Sequence, residues 1–534
     1  MKKKLIKSTK DQRSSSATPQ EPITYDDFLE EGSIAEESGD RWLGSDISKA
    51  SRFYQRAYDA YTKSLELNWS AENSEAYYNS ARLLLQIYLM DKSSDGLQLD
   101  DLTDIGEIYR PNSVVQNIAT ILDKHLKALE VSGRNADLLF NTATVYVEML
   151  DDMVGISSNL DHTLQSYYNS GQQILMELLP QQVNALETFV RELTNSYTES
   201  RDTAPKPISR NMEHEQEEFE SVEVTQPVDI FDTVLLGYKL IQAAYENISK
   251  GELGLMNMNI NPFLDTLDQV SSELISKYCE NSEFKNEMLQ NITSSQVNEL
   301  KIAKQSILSL QYGNVSSALE SWAGFFTNEV PDEIPEKYLT CVDNIQTVLE
   351  WDDITLDTLN NNSSPQDKDW YWEILSQQNK LLKKAQELTQ NQLNAKKRSP
   401  SGVELGIGAT ITQLCNIMID RADLNLQMAL IKDYEPSVKN QAALVQNCKT
   451  LLKSSMNIAN TSGGLRERAI EKLDREKKLS EAVFRLCLLE GKTSLEKLDE
   501  IMTRQRWERE VAPLKKVDAY KELLQQIPHV PRRC

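Results

Sequence analysis

The stretch Gly313–Pro331, GNVSSALESWAGFFTNEVP, decides the fold. Gly313 and Asn314 make a turn signal, after which the small Ala318 is followed four positions on by Trp322 and three further by Phe325. That spacing puts all three on one face of a helix. A small side chain stands where a neighbouring helix must come close, and large aromatic ones stand where there is space to fill. Pro331 then closes the segment. The same order of small, large and small returns in Ala50, Tyr54 and Ala57, and in Ala422, Leu426 and Ala429 with Pro436 following. Outward from these points, apolar residues recur at three- and four-residue spacing between polar breaks, while sustained β-branched alternation is scarce. The expected fold class is all-α.

These motifs resemble the tetratricopeptide repeat, in which two antiparallel helices cross at small residues and stack through large ones. Leu139, Ala143 and Tyr146 fit a first helix. A helix ending in Leu126, Ala128 and Leu129 and a turn at Gly133 and Asn135 precede them. Leu236, Gly237 and Leu240 fit first-helix positions within Val234 to Asn247. The period of about 34 residues is irregular, with insertions at Lys92 to Asn112 and Asp151 to His162. The resemblance implies an α-solenoid of antiparallel helix pairs whose concave side binds extended or helical peptide segments. The groove positions it implies are Asp137, Phe140, Asn141 and Thr144, with Tyr78 and Arg82 on an earlier helix.

Some members of that family hold the acidic C-terminal tail of heat-shock chaperones in a clamp of Lys, Asn and Arg on their first helices. The first helix here carries Asp26, Asp27, Glu30, Glu31, Glu36, Glu37 and Asp40, acids where the clamp needs a base. Asn79 and Arg82 supply only part of it, so the expectation is that this tail is not bound.

Composition supports the helical reading and narrows the partner. The 534 residues exceed what one hydrophobic core organises. With 19 Gly and 16 Pro, the chain is poor in turn formers for an all-β or doubly wound protein of its size. Its net charge of −24, from 81 acidic and 57 basic side chains, argues against a general phosphate-backbone binder. Two readings of the acid stay open, attraction of a basic protein partner and simple solubility of a long helical stack. The cysteines have no paired spacing and no secretory leader precedes them, so reduced thiols in the cytosol or nucleus are expected. No apolar run is long enough for a membrane span.

Five segments are expected: a disordered basic and polar tail at 1–22, a first helical array at 23–194, an acidic disordered linker or loop at 195–229, a second array at 230–503, and a basic C-terminal helix and tail at 504–534. Order should begin near Thr24. Helix starts are expected after Ser48 and Asn298, shorter loops at Asn360 to Pro365 and Lys396 to Gly402, and one or two longer helices over Gly464 to Met502.

Motifs for chemistry are scarce. His125, His162, His214 and His529 lie too far apart for a local metal box. A nucleophile elbow, a P-loop and a dinucleotide fingerprint are all missing, and Gly402, Gly406 and Gly408 read as a loop and helix start. No catalytic, cofactor-binding or metal-ligating residue is expected. Trp370, Tyr371 and Trp372 point in different directions on a helix, so at least one belongs to the core. Lys2, Lys3 and Lys4, and separately Lys396, Lys397 and Arg398, resemble nuclear import signals. The basic residues from Arg504 onward form a solvated face, or a tail that contacts acid or RNA. The expected function is a non-enzymatic protein-binding scaffold or adaptor, such as a dedicated chaperone or assembly factor for a basic client like a ribosomal protein or histone. Alternatives are a structural subunit of a larger complex and an RNA-binding helical-repeat protein, although nucleic acid is the weaker partner on charge grounds.

Overall fold

The structure, a computed structural model, describes residues 21–91, 99, 102, 105–153, 160–202, 224–280, 288–328, 330–399 and 406–528. The expected import signal at Lys2, Lys3 and Lys4 and the acidic run Glu213 to Glu223 lie outside the described residues. So does most of the insertion expected from Lys92.

The described residues are all-helical and form no strand, only an isolated bridge between Cys279 and Ile292. In chain order the helices are α1 (Tyr25–Leu43), α2 (Ile47–Leu67), α3 (Ser74–Asp91), α4 (Ile118–Val131), α5 (Ala136–Asp151), α6 (Leu160–Asp202), α7 (Pro227–Asn247), α8 (Leu253–Tyr278), α9 (Ser294–Gln311), α10 (Val315–Asn328), α11 (Glu336–Trp351), α12 (Leu356–Asn362), α13 (Pro365–Lys397), α14 (Ile407–Ala429), α15 (Glu435–Ala459), α16 (Ala469–Leu489), α17 (Leu495–Ile501), α18 (Arg504–Leu514) and α19 (Asp518–Leu524).

Local chemistry sets many of these boundaries. Thr24 begins α1 through a capping box with Asp27, and Ser364 begins α13 the same way with Asp367, helped by Pro365 in its first turn. Asn135 accepts from the Leu138 amide to open α5, directly after Gly133 turns the chain at positive φ. Three expected boundaries shift. Asp46 caps α2 in place of Ser48, and Asn298 lies inside α9. The loop expected from Asn360 is largely taken up by the short helix α12, so only Ser363 and Ser364 separate it from α13. Gly464 to Met502 holds two helices, α16 and α17.

The chain divides into two compact units. One comprises residues 70–82 and 118–307. Here α5 packs on α4, α6 and α7, and α7 packs on α8. Close approach depends on absent side chains: a Cβ on Gly237 would stand 2.8 Å from a Leu267 methyl carbon. Asn247 Nδ2 donates to the Leu150 carbonyl at 3.0 Å and Tyr245 to Asn257 at 2.6 Å.

The other unit comprises the described residues of 21–69, 83–117 and 308–528. Its α1 and α2 form a tight pair, with Tyr54 donating to Asp40 at 2.7 Å and Tyr61 to Glu36 at 3.0 Å. Farther along, α10 packs on α11, α11 on α13, α13 on α14, and α14 on both α15 and α16. The residues of the deciding stretch are core: Ala318 and Trp322 are fully buried, and Phe325 meets the Trp322 ring edge-on at 5.3 Å. Trp322 Nε1 donates to Asn344 Oδ1 at 3.1 Å, and Ser309 donates to the same oxygen at 2.7 Å. This settles a buried indole N–H and ties α9, α10 and α11 together. Leu393, Ile407, Ile411, Leu414, Cys415, Met418 and Ala459 form a second cluster around α14. Gly406 starts α14 at φ +75°, and Gly408 lies under Glu471, whose Cβ would be 2.7 Å from an added Cβ.

Candidate functional site: an acidic cavity in the C-terminal helices

A cavity of about 670 Å³ opens among α11, α13, α14 and the segment leading into α19. Helical periodicity builds its walls. Leu339, Val342, Asp343, Gln346 and Glu350 form one stripe of α11, and Gln413, Asn416, Ile417, Asp420, Asp423, Leu424 and Gln427 form one stripe of α14. Tyr371, Gln378 and Leu382 come from α13, and Lys516, Val517 and Asp518 complete the rim. Apolar and polar side chains alternate along these stripes, so the recess has greasy patches between groups that hydrogen-bond.

The acids differ in how they are held. Asp423 is engaged on two sides: Arg485 Nε lies 3.2 Å from both carboxylate oxygens, and Tyr520 donates to Oδ1 at 2.7 Å. Burial pushes the Asp423 carboxyl upward against the pull of Arg485 and Tyr520. Glu350 accepts from Gln346 at 2.9 Å, and Asp518 pairs with Lys521 at 2.6 Å. Asp420 makes no hydrogen bond or ion pair among the described residues. Its side chain is exposed on the wall of the cavity. Desolvation by the surrounding helices, with the like charges of Asp423 and Asp343, pushes it up to about 7. Gln378 is only 1% exposed, and its Oε1 has no donor among the described residues.

A second cavity, of about 450 Å³, shares Gln413 and Asn416 with the first and is lined by Lys396, Lys477, Lys478 and Asp474. Lys396 is committed there, donating to Thr410 at 2.9 Å and to the Gly406 carbonyl at 3.4 Å. Lys396 and Lys397 thus form the last turn of α13, with the exposed Arg398 just after it, and an extended import peptide would have to unwind that turn. Among the described residues no group of three or more His, Cys, Asp or Glu is placed to hold a metal ion, and no helix is long and apolar enough to cross a membrane. The described cysteines are free thiols.

The residues expected on a groove lie elsewhere, in the first unit. Tyr78, Arg82, Phe140 and Asn141 are buried, while Asp137 and Thr144 are half-buried, Thr144 bonding back to the Phe140 carbonyl at 3.0 Å. Helical spacing alone does not separate a side chain facing a groove from one facing the next helix. Of the aromatic trio, Tyr371 is core, Trp372 packs against Tyr434 at 5.5 Å, and Trp370 is exposed. The cavity residues Asp343, Gln378, Asp420 and Asp423 were not singled out by sequence. The available signal was the polar stripe Gln413, Asn416, Asp420, Gln427 at helical spacing within an otherwise apolar helix.

The fold and this recess define an all-α protein with an acid-lined cavity in its C-terminal helices. A family model described as the YNL193W C-terminal domain matches residues 332–511, which contain most of the cavity wall. The chain is also similar to a protein of Saccharomyces cerevisiae, "Uncharacterized protein YNL193W", at 24% identity over 520 residues, covering 88% of this chain and 90% of that one. No solved structure matches.

Proposed function

We propose that this chain is a non-enzymatic, tetratricopeptide-like scaffold of the cytosol or nucleus that holds a basic segment of a client protein as an assembly factor or chaperone. The observation that carries the reading is the acid-lined cavity, in which Asp420 stands without an ion-pair partner among the described residues. Packing of some helices on both their neighbour and the next but one, as α5 does with α6 and α7 and α14 with α15 and α16, supports a stacked-repeat architecture. The net charge of −24 favours a cationic protein over nucleic acid, whose phosphates the same surface repels.

Affinity purification of the full chain with cross-linking mass spectrometry tests this. A Lys- and Arg-rich protein should be recovered, cross-linked near α11 to α14, and released by raised salt. Recovery of acidic partners only, or binding indifferent to salt, would overturn it.

A further inference from the structure

Two groups in the cavity wall make a more specific demand than positive charge. The Asp420 carboxylate has no hydrogen bond or ion pair among the described residues, and the two cations that act on it are engaged by other acids: Arg485 by Asp423, and Lys478 by Glu481 at 2.8 Å. On α13, Gln378 also lines the recess; it is 99% buried and its Oε1 lacks a donor among the described residues. A buried acceptor left without a donor is costly. A compact, strongly hydrated cation gives up its water to two acceptors on different helices less readily than a weakly hydrated, planar one. What meets both is a cation that brings several N–H donors and sheds its water easily.

We infer that the cavity is an arginine-recognition pocket, taking one arginine side chain of a client with its guanidinium donating to the Asp420 carboxylate and to Gln378 Oε1. The inference rests on the proposed binding of a basic segment and adds its specificity. A guanidinium offers five donors in a plane and is weakly hydrated, whereas the lysine ammonium is a compact, strongly hydrated charge. The walls suit the rest of the side chain: Val342, Leu382, Ile417 and Leu424 offer apolar surface for its methylenes. Asp423 does not compete for this role, because Arg485 and Tyr520 already occupy it.

The test is calorimetric titration of the full chain with an arginine–serine repeat peptide and the lysine–serine peptide of equal length, for the native chain and the variants Asp420→Asn, Asp420→Glu and Gln378→Met. The native chain should prefer the arginine peptide by about tenfold or more, as expected for charge-assisted hydrogen bonds. Asp420→Asn should remove most of that affinity and Asp420→Glu restore part of it. Gln378→Met should bring the two peptides toward equal affinity without weakening the lysine peptide. Cooperative thermal unfolding of each variant shows that the fold survives. Should Gln378→Met unfold, the Asp420 pair decides alone, since that side chain is open to the cavity. Equal binding of both peptides by the native chain, or an arginine preference untouched in the variants, would overturn the arginine pocket and leave the basic-client reading standing. Binding of neither peptide would overturn both.

Discussion

Tyr520 donates its hydroxyl to Asp423 at 2.7 Å, joining side chains 97 residues apart and fastening α19 onto α14. Arg485 holds the other side of the carboxylate, and its guanidinium carbon lies 5.7 Å from the centre of the Tyr520 ring. The acid, base and phenol form one buried network at the cavity's edge, with Asp423 and Arg485 side chains only 13% and 11% exposed.

Breaking that network should cost more than its net worth, because a charge left alone in the interior keeps its desolvation penalty. Asp423→Asn should lower unfolding free energy by about 3 kcal/mol, and Tyr520→Phe by about 1 to 2 kcal/mol. In a double-mutant cycle read by urea denaturation, the two losses should fall short of additive. Strict additivity would show that the two side chains act independently.

Stability should rise as pH is lowered from 8 to 6.5. Asp420, Glu148 and Glu510 are each pushed up to about 7 by desolvation and neighbouring acids, against about 4 in an unfolded chain. A raised carboxyl binds its proton more tightly when folded. Its contribution is therefore present at low pH and lost as pH rises through 7. His125 is held down to about 4 by burial, so it opposes this trend only below about 6.5, where the unfolded histidine protonates. Thermal melts between pH 6.5 and 8 should show the rise, and Asp420→Asn should lessen it, with Glu148 and Glu510 supplying the remainder.

His125 is fully buried, its Nδ1 lies 2.9 Å from the Ile121 carbonyl, and its Nε2 has no partner among the described residues. Replacing an unsatisfied polar ring by an apolar side chain removes the cost of burying it. His125→Leu should leave stability at pH 7 unchanged or raise it by about 1 kcal/mol. It should also abolish the acid-side loss between pH 6.5 and 4. A loss of about 2 kcal/mol or more would show that the ring is fully hydrogen-bonded in the folded chain.

Gly39 is a helical glycine that alanine should not improve. On an open helix face the exchange gains up to about 1 kcal/mol. Here a Cβ would stand 2.6 Å from Tyr54 Cε1, and that ring is fully buried and tied to Asp40. Gly39→Ala should therefore destabilise by roughly 1 to 3 kcal/mol, the cost of overpacking. A gain in melting temperature would show that α1 and α2 can separate slightly without loss.

The sequence by itself determined the helices and the inner side of several of them. Ala318, Trp322 and Phe325, or Ala50, Tyr54 and Ala57, declare a buried face because residues three and four apart are neighbours whatever surrounds the helix. Cap chemistry read along the sequence misplaced two helix starts, giving Ser48 and Asn298 where Asp46 caps α2 and α9 begins at Ser294. Which polar residues meet was decided only by tertiary structure. Asp423 finds Arg485 and Tyr520 on other helices, and Asp420 and Gln378 share a cavity although they lie on α14 and α13. Spacing along one helix fixes a side chain's azimuth; it says nothing of what the next helix brings opposite. Phe140 and Asn141 therefore point into packing, whereas the acids of α11 and α14 line a recess.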